Sequence, residues 1–157
     1  MIEIERKFLV TSDVYKQHAI SKNKIYQGFL NSHPLRTVRV RLKGESGTIT
    51  VKGLSDKEGT TRFEWEKEIT GADAKALLQL CEDGMISKTR YEVPAGRHIF
   101  EVDEFHGANE GLVIAEVELG SKNEAYSKPD WLGKEVTGDP RYYNSQLSKQ
   151  PFTKWKS

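Results

Sequence analysis

Cysteine is nearly absent: Cys81 is the only one in 157 residues. No disulfide can form within the chain, and a cysteine-built metal or redox centre lacks ligands. No run of about 18 apolar residues occurs, so no apolar helix is expected to span a membrane. The opening MIEIERKFLV carries Glu3, Glu5, Arg6 and Lys7, which leaves no room for a signal-peptide apolar core, and a cytoplasmic location is the expectation. An excess of one charge is missing too, with 24 Lys and Arg against 23 Asp and Glu. That balance removes the simplest case for nucleic-acid binding, which draws its affinity from basic surplus. There is no G-x-x-x-x-G-K-[ST] loop. His18, His33, His98 and His106 show no zinc spacing, and no repeat or low-complexity tract is found. Disorder is excluded in turn, because the chain holds three Trp, six Tyr and six Phe at near-zero net charge.

What is present is alternation with a period of two. Ile2, Ile4 and Phe8 alternate with Glu3, Glu5 and Lys7, the mark of a strand with one apolar and one charged face. The same pattern predicts strands over 24–31, 37–43, 48–52, 62–69, 86–93, 98–105 and 112–119. Gly44 to Gly47 and Pro94 to Gly96 supply turns. One clear helix is expected after Thr70, an N-cap with Asp73 three residues on. Its apolar stripe is Leu77, Leu78, Leu80 and Cys81, and Gly84 ends it. Phe63 and Trp65 are read as core or helix-facing residues. Beyond Gly120 the chain breaks at Pro129, Gly133, Gly138 and Pro140, with a short helix expected over 142–149, and Trp131 and Trp155 anchoring the tail. The fold class is α+β: a mostly antiparallel sheet of eight strands, closed or nearly closed, in one domain over residues 1–157.

The charged faces carry the functional information. Residues i and i+2 of a strand share a face, so like charges stand together: Glu3 with Glu5, Arg39 with Arg41, Glu64 with Glu66, Lys88 with Arg90, Glu101 with Asp103, Glu116 with Glu118. Like charges that close repel unless an opposite group or a ligand compensates. A single strand of this kind is usually a solvated face. Recurrence on strand after strand favours a second reading, in which the sheet closes with its charges inward around a polyanion and its metals. Carboxylates would suit hard divalent cations; Arg39, Arg41, Lys52, Lys88 and Arg90 would match phosphate oxygens.

These residues resemble a known family. Glu3-Ile4-Glu5-Arg6-Lys7 matches the E-x-E-x-K signature of the CYTH superfamily, the triphosphate tunnel metalloenzymes. Arg39-Val40-Arg41, Thr50-Val51-Lys52, Glu64-Trp65-Glu66, Lys88-Thr89-Arg90-Tyr91, Phe100-Glu101-Val102-Asp103 and Glu116-Val117-Glu118 follow in family order. The tail from Trp131 to Thr137, with Arg141-Tyr142, is similar to that of the short bacterial inorganic triphosphatases, which are related to class IV adenylyl cyclases and thiamine triphosphatases. The resemblance implies an eight-stranded antiparallel β-barrel tunnel with a few flanking helices, its C-terminal segment 121–157 partly helical and packing on or closing the barrel.

It also implies Mg²⁺ or Mn²⁺, two ions, held by Glu3, Glu5, Glu116 and Glu118. Lys7, Arg39, Arg41, Lys52, Lys88 and Arg90 would bind the triphosphate, and Glu64, Glu66 and Asp103 would be further acidic catalytic residues. The expected reaction is hydrolysis of tripolyphosphate to pyrophosphate and phosphate, in a protein that binds a small-molecule polyphosphate and neither nucleic acid nor membrane. A homodimer stays open. The rivals are conversion of ATP to cyclic AMP and binding of polyphosphate or nucleotide without turnover.

Overall fold

The computed structural model describes residues 2–155. Eight antiparallel strands form a barrel: β1 (Ile2–Val10), β2 (Ser21–Asn31), β3 (Arg36–Lys43), β4 (Ser46–Gly53), β5 (Thr61–Thr70), β6 (Ile86–Ala95), β7 (His98–Phe105) and β8 (Val113–Glu118). Their order around the wall is β5-β4-β3-β2-β6-β7-β8-β1, closed by pairing of β1 with β5. All eight are the strands that the alternation predicts. A four-residue β9 (Leu132–Glu135) is added from the tail. The described residues also form three short α-helices: α1 (Tyr15–His18), α2 (Gly71–Leu78) and α3 (Asn144–Leu147). Among the described residues no helix is long and apolar enough to cross a membrane.

Closure rests on a divided strand. On one edge, Glu5 to Leu9 of β1 pair with β8. On the other, only Ile2, Glu3 and Ile4 pair with β5, opposite Phe63, Arg62 and Thr61. Past Ile4 the β5 side is left to other partners, since an open edge would leave backbone groups unpaired. The Glu5 amide donates to the Thr60 carbonyl at 3.0 Å, the Lys7 amide to Thr137 Oγ1 at 2.9 Å, and β9 then pairs with Phe8 and Val10. The tail completes the barrel seam.

Because the inner face of the wall is charged, most apolar packing lies outside it. Phe8, Tyr91, Val93, Phe100, Val102, Ala115 and Val117 face outward and are covered by Tyr15 of α1 and by Leu119 and Trp131. Burying each such side chain is worth about 1.5–3 kcal/mol. Thr70 caps α2 as the sequence predicts, its Oγ1 accepting from the Asp73 amide at 3.0 Å. The helix lays Ala74 and Leu78 on Val40 of the outer wall, with Leu42, Ile69 and Cys81 beside them. Two glycines admit it: a Cβ at Gly47 would stand 2.7 Å from Ala74 Cβ, and one at Gly28 would stand 2.9 Å from Cys81 Cβ. Gly47 therefore serves close packing within β4, and the hairpin turn is Gly44-Glu45, with Gly44 at φ +60.

Three expectations change. Leu80 is 72% exposed and lies past the end of α2, so it leaves the apolar stripe. Phe63 and Trp65, at 45% and 39%, are exposed on the outer wall, because α2 is only eight residues long and covers the other end of β5. The turn after β6 starts later than expected: Pro94 still pairs with Ile99. Proline is tolerated there because pairing with β2 has stopped at Glu92.

A second apolar cluster lies within one end of the barrel. Residues opposed in an antiparallel register share a face; Gln27 opposes Ile86, Lys88 opposes Phe105 and Leu9 opposes Ile114. The inward side chains at this end are thus apolar. Val136, Tyr142 and Leu147 of the tail pack among Ile86, Phe105 and Ile114, and Trp155 stacks edge-on to Tyr142 at 5.3 Å.

Candidate functional site

Above that apolar end the barrel holds a cavity of about 210 Å³. Every barrel strand from β1 to β8 except β2 contributes charged side chains to it: Glu3, Glu5 and Lys7 from β1, Arg39 and Arg41 from β3, Lys52 from β4, Arg62, Glu64 and Glu66 from β5, Lys88 and Arg90 from β6, Glu101 from β7, Glu116 and Glu118 from β8. The lining is mixed and balanced in sign. The pleat alone aims them, since registers such as Lys7 opposite Glu116, Lys52 opposite Glu64 and Arg90 opposite Asp103 place all of them on the inner face.

Compensation differs around the wall. Lys52 Nζ donates to both oxygens of Glu3, at 2.8 and 3.0 Å, and lies 3.5 Å from Glu64. Burial raises the Glu3 carboxyl, but Lys52 outweighs it and holds the group below its ordinary value. Glu64 is pushed up to about 6 by burial and its hydrogen bond with Glu3. Asp103 is 2% exposed; it lies on the inner face opposite Arg90 but does not line the cavity. It accepts from Arg90 Nε and Nη2 at 2.8 and 2.9 Å and lies 2.7 Å from Lys88 Nζ. Burial raises the Asp103 carboxyl, yet Arg90 and Lys88 hold it far below the carboxylate range. Burial in turn pulls Lys88 down to about 7 in spite of Asp103, with Arg90 and Arg41 adding repulsion.

Two groups are left without such partners. Among the described residues Arg41 donates only to the amide oxygen of Gln27, from Nε at 2.9 Å and Nη2 at 2.8 Å. Arg39 reaches Thr50 Oγ1 at 3.1 Å and Glu66 only at 3.7 Å; its Nε is buried with no hydrogen-bond partner among the described residues. Burial lowers the proton affinity of both, and Arg90, together with Arg39 in the case of Arg41, lowers it further. A guanidinium does not deprotonate in practice, so this repulsion is relieved by an anion. Opposite lies the converse: burial, Glu116 and Glu3 push the Glu5 carboxyl up to about 8. Burial also raises its partner Glu116, but Lys7, 3.8 Å away, and Arg90 bring it below the usual range. Burial, Glu3 and Glu101 raise Glu118. This acidic wall wants a cation.

The residues expected from the sequence therefore meet in one cavity, apart from Asp103, which fixes Lys88 and Arg90. Arg62 is an addition; it sits two residues from Glu64, so the same-face rule could have found it. Glu101, paired with Asp103 in the sequence but given no role there, also lines the cavity. Gln27, Thr50, Asn144 and Ser145 are neutral and carry no charge signal. Glu68 and Lys43, two residues beyond Glu66 and Arg41 at the strand ends, do not line the cavity.

Among the described residues, no three histidine, cysteine or acidic side chains converge into a preformed metal cage. The donor set still fits a hard divalent cation. Glu3, Glu5, Glu116 and Glu118 offer only carboxylate oxygens, and their mutual repulsion disappears when a cation sits between them. Mg²⁺ commonly takes one or two carboxylates and completes its shell with water and phosphate oxygens.

Comparison with known proteins agrees with this chemistry. The model of the CYTH domain matches residues 1–149. An inorganic triphosphatase of Acetivibrio thermocellus is 47% identical over 156 residues, covering 98% of this chain and 97% of the relative. One of Nitrosomonas europaea is 37% identical over 153 residues, covering 94% and 97%. Among solved structures, the crystal structure of an inorganic triphosphatase superposes with a TM-score of 0.65 at 33% identity, covering 93% of this chain and 97% of that one.

Proposed function

The chain belongs to the CYTH family, and on that premise we propose that it is a divalent-metal-dependent triphosphatase cleaving tripolyphosphate to pyrophosphate and phosphate. The observation that carries this reading is the Arg39–Arg41 pair: two half-buried guanidinium groups, one with an orphaned Nε among the described residues, facing carboxylates across a cavity crowded with charge. Relatives at 47% and 37% identity bear the name inorganic triphosphatase.

In this reading Arg39, Arg41, Lys7, Lys52, Lys88 and Arg90 hold the phosphate chain extended, with Arg presenting a planar fork to non-bridging oxygens. Glu3, Glu5, Glu116 and Glu118 hold Mg²⁺ or Mn²⁺, two ions in our proposal. Once bound, the ions neutralise charge on the polyphosphate and lower the pKa of the attacking water. Water oxygen adds to the terminal phosphorus in line with the bridging oxygen; that P–O bond breaks and pyrophosphate leaves. Glu64 steadies Lys52 and Glu66 steadies Arg39 through Thr50, so each sets the direction of a phosphate-binding cation. Asp103 does the same for Lys88 and Arg90.

Phosphorus NMR tests the proposal. The purified protein with Mg²⁺ or Mn²⁺ receives tripolyphosphate in one tube and ATP in another. Conversion of tripolyphosphate to pyrophosphate and phosphate, with ATP largely spared, is expected. Cyclic AMP and pyrophosphate from ATP would assign the site to a cyclase. No change in either tube would overturn hydrolysis of these substrates.

A further inference from the structure

We infer that Gln27 and Asn144 form a neutral amide relay that aims Arg41 and Lys88 at the substrate while leaving the charge of Arg41 uncancelled. The inference rests on the triphosphatase reading and adds two positioning residues to it.

Gln27 is wholly buried in β2 and opposes Arg41 across the β2–β3 ladder. Its Oε1 accepts two hydrogen bonds from the Arg41 guanidinium, at 2.9 and 2.8 Å. Its Nε2 donates to Asn144 Oδ1 at 2.7 Å. The same Oδ1 accepts from Lys88 Nζ at 2.9 Å, and Lys88 is 1% exposed. A continuous path thus runs from Arg41 through Gln27 and Asn144 to Lys88. Asn144 comes from α3 of the C-terminal segment, and it lines the cavity floor.

The identity of the linking groups matters. A buried guanidinium or ammonium must have its donors satisfied, and elsewhere in this barrel carboxylates do so: Glu3 for Lys52, Asp103 for Arg90 and Asp103 again for Lys88, beside its bond to Asn144. A carboxylate also cancels the charge it satisfies, and so competes with phosphate for the same cation. An amide oxygen of the same size fixes the donor's direction and leaves the positive charge in place. Arg41, bonded to Gln27, is therefore both oriented and electrostatically available. A purely structural role would need the hydrogen bonds and would be indifferent to this neutrality.

The isosteric substitutions Q27E and N144D separate the two. Each keeps an acceptor oxygen toward the cation and adds one negative charge; Q27E also gives up the Nε2 donor to Asn144, whereas N144D keeps the acceptor for both Gln27 and Lys88. Both are expected to raise KM for tripolyphosphate about tenfold or more, the scale of one lost charge-assisted contact, with a smaller change in kcat, an unchanged or higher Tm in N144D and a lower Tm in Q27E. N144A, which frees Lys88 and Gln27, should raise KM while its Tm falls.

Affinity for pyrophosphate without metal, measured by calorimetry, should fall in Q27E and N144D as KM rises. If the wild type fails to turn over tripolyphosphate, the functional reading is wrong, and the pyrophosphate affinities still decide the relay. An unchanged KM and an unchanged pyrophosphate affinity in both isosteric variants would overturn it. Should Q27E fail to fold, N144D carries the same test from a partly exposed position.

Discussion

Arg90, buried, and Arg41, half-buried, are guanidinium groups on the wall of the same cavity, and their surroundings are opposite. Arg90 lies in a fork of Asp103 oxygens at 2.8 and 2.9 Å, with Glu101 at 3.2 Å. Burial works against its proton, but Asp103 more than restores it and holds the group above its ordinary value. Arg41 meets one neutral amide and is driven the other way by burial, Arg39 and Arg90. One group is completed by the fold; the other is left for a ligand to complete. The difference teaches which of the phosphate-facing cations the fold has already paired and which it leaves open for substrate, a distinction that a list of lining residues conceals.

The largest expected effects follow from that contrast. Removing Arg39 or Arg41 by alanine substitution should lower kcat/KM for tripolyphosphate by about 10²–10³-fold, the usual loss for a preorganised electrostatic contact. Thermal stability should hold or rise, because a repelling half-buried charge is gone. Asp103→Ala should do the reverse to stability. It strands two buried cations, which costs about 3–5 kcal/mol, or a fall in Tm of roughly 10 °C for a chain of this size. Calorimetry beside steady-state kinetics reads both. Equal losses of Tm in the arginine and aspartate variants would erase the comparison.

The acidic wall gives a smaller effect of defined sign. A carboxyl of the unfolded chain titrates near 4.3, whereas folded Glu5 is pushed up to about 8 by burial, Glu116 and Glu3. Between those values the folded protein binds more protons than the unfolded one, so this group's contribution to stability falls as pH rises. Lys88, pulled down to about 7 by burial, acts oppositely: above pH 7 the unfolded chain keeps its proton longer, and stability rises with pH. Glu5→Gln removes the first dependence and leaves the second. In chelator-treated protein, Tm of the wild type should therefore drop relative to Glu5→Gln from pH 5 to 8. Mg²⁺ should restore the wild type at pH 8 and do less at pH 5. A gap that stays flat with pH would show that Glu5 is ionised throughout.

The alternation of apolar and charged residues made the barrel legible, because a pleated strand turns a period of two directly into two faces. It also pointed to the charged lining, since inward charges recurred in like-signed pairs. Three things escaped it. β9 is four residues with one apolar side chain, Leu132, and is held by β1 rather than by its own pattern. Phe63 and Trp65 read as packed residues, but whether an outward apolar side chain is covered depends on the reach of α2, which strand periodicity does not encode. Gln27 and Asn144 carry no charge, and Asn144 arrives from a tail whose path around the barrel end depends on Tyr142 and Leu147 finding Ile86 and Phe105. Charge patterning finds groups that repel; it is blind to the neutral groups that aim them.

Thr50 gives the finest test of the contrast, because it is the one short link between Arg39 and a carboxylate. Its hydroxyl accepts from Arg39 Nη2 at 3.1 Å and donates to Glu66 Oε2 at 2.7 Å, while Glu66 itself stays 3.7 Å from the guanidinium. Thr50→Val is nearly isosteric and removes both bonds, each worth about 1 kcal/mol. If Arg39 is kept for the substrate, its charge survives the change and only its direction loosens, so kcat/KM should fall about fivefold, far less than in Arg39→Ala. If Arg39 is in truth completed by Glu66 as Arg90 is by Asp103, losing the hydroxyl lets the two close into a direct ion pair. Phosphate then competes with a carboxylate for the same fork, and KM climbs toward that of the alanine variant. The ratio of the two KM values therefore reports how free Arg39 is before substrate arrives.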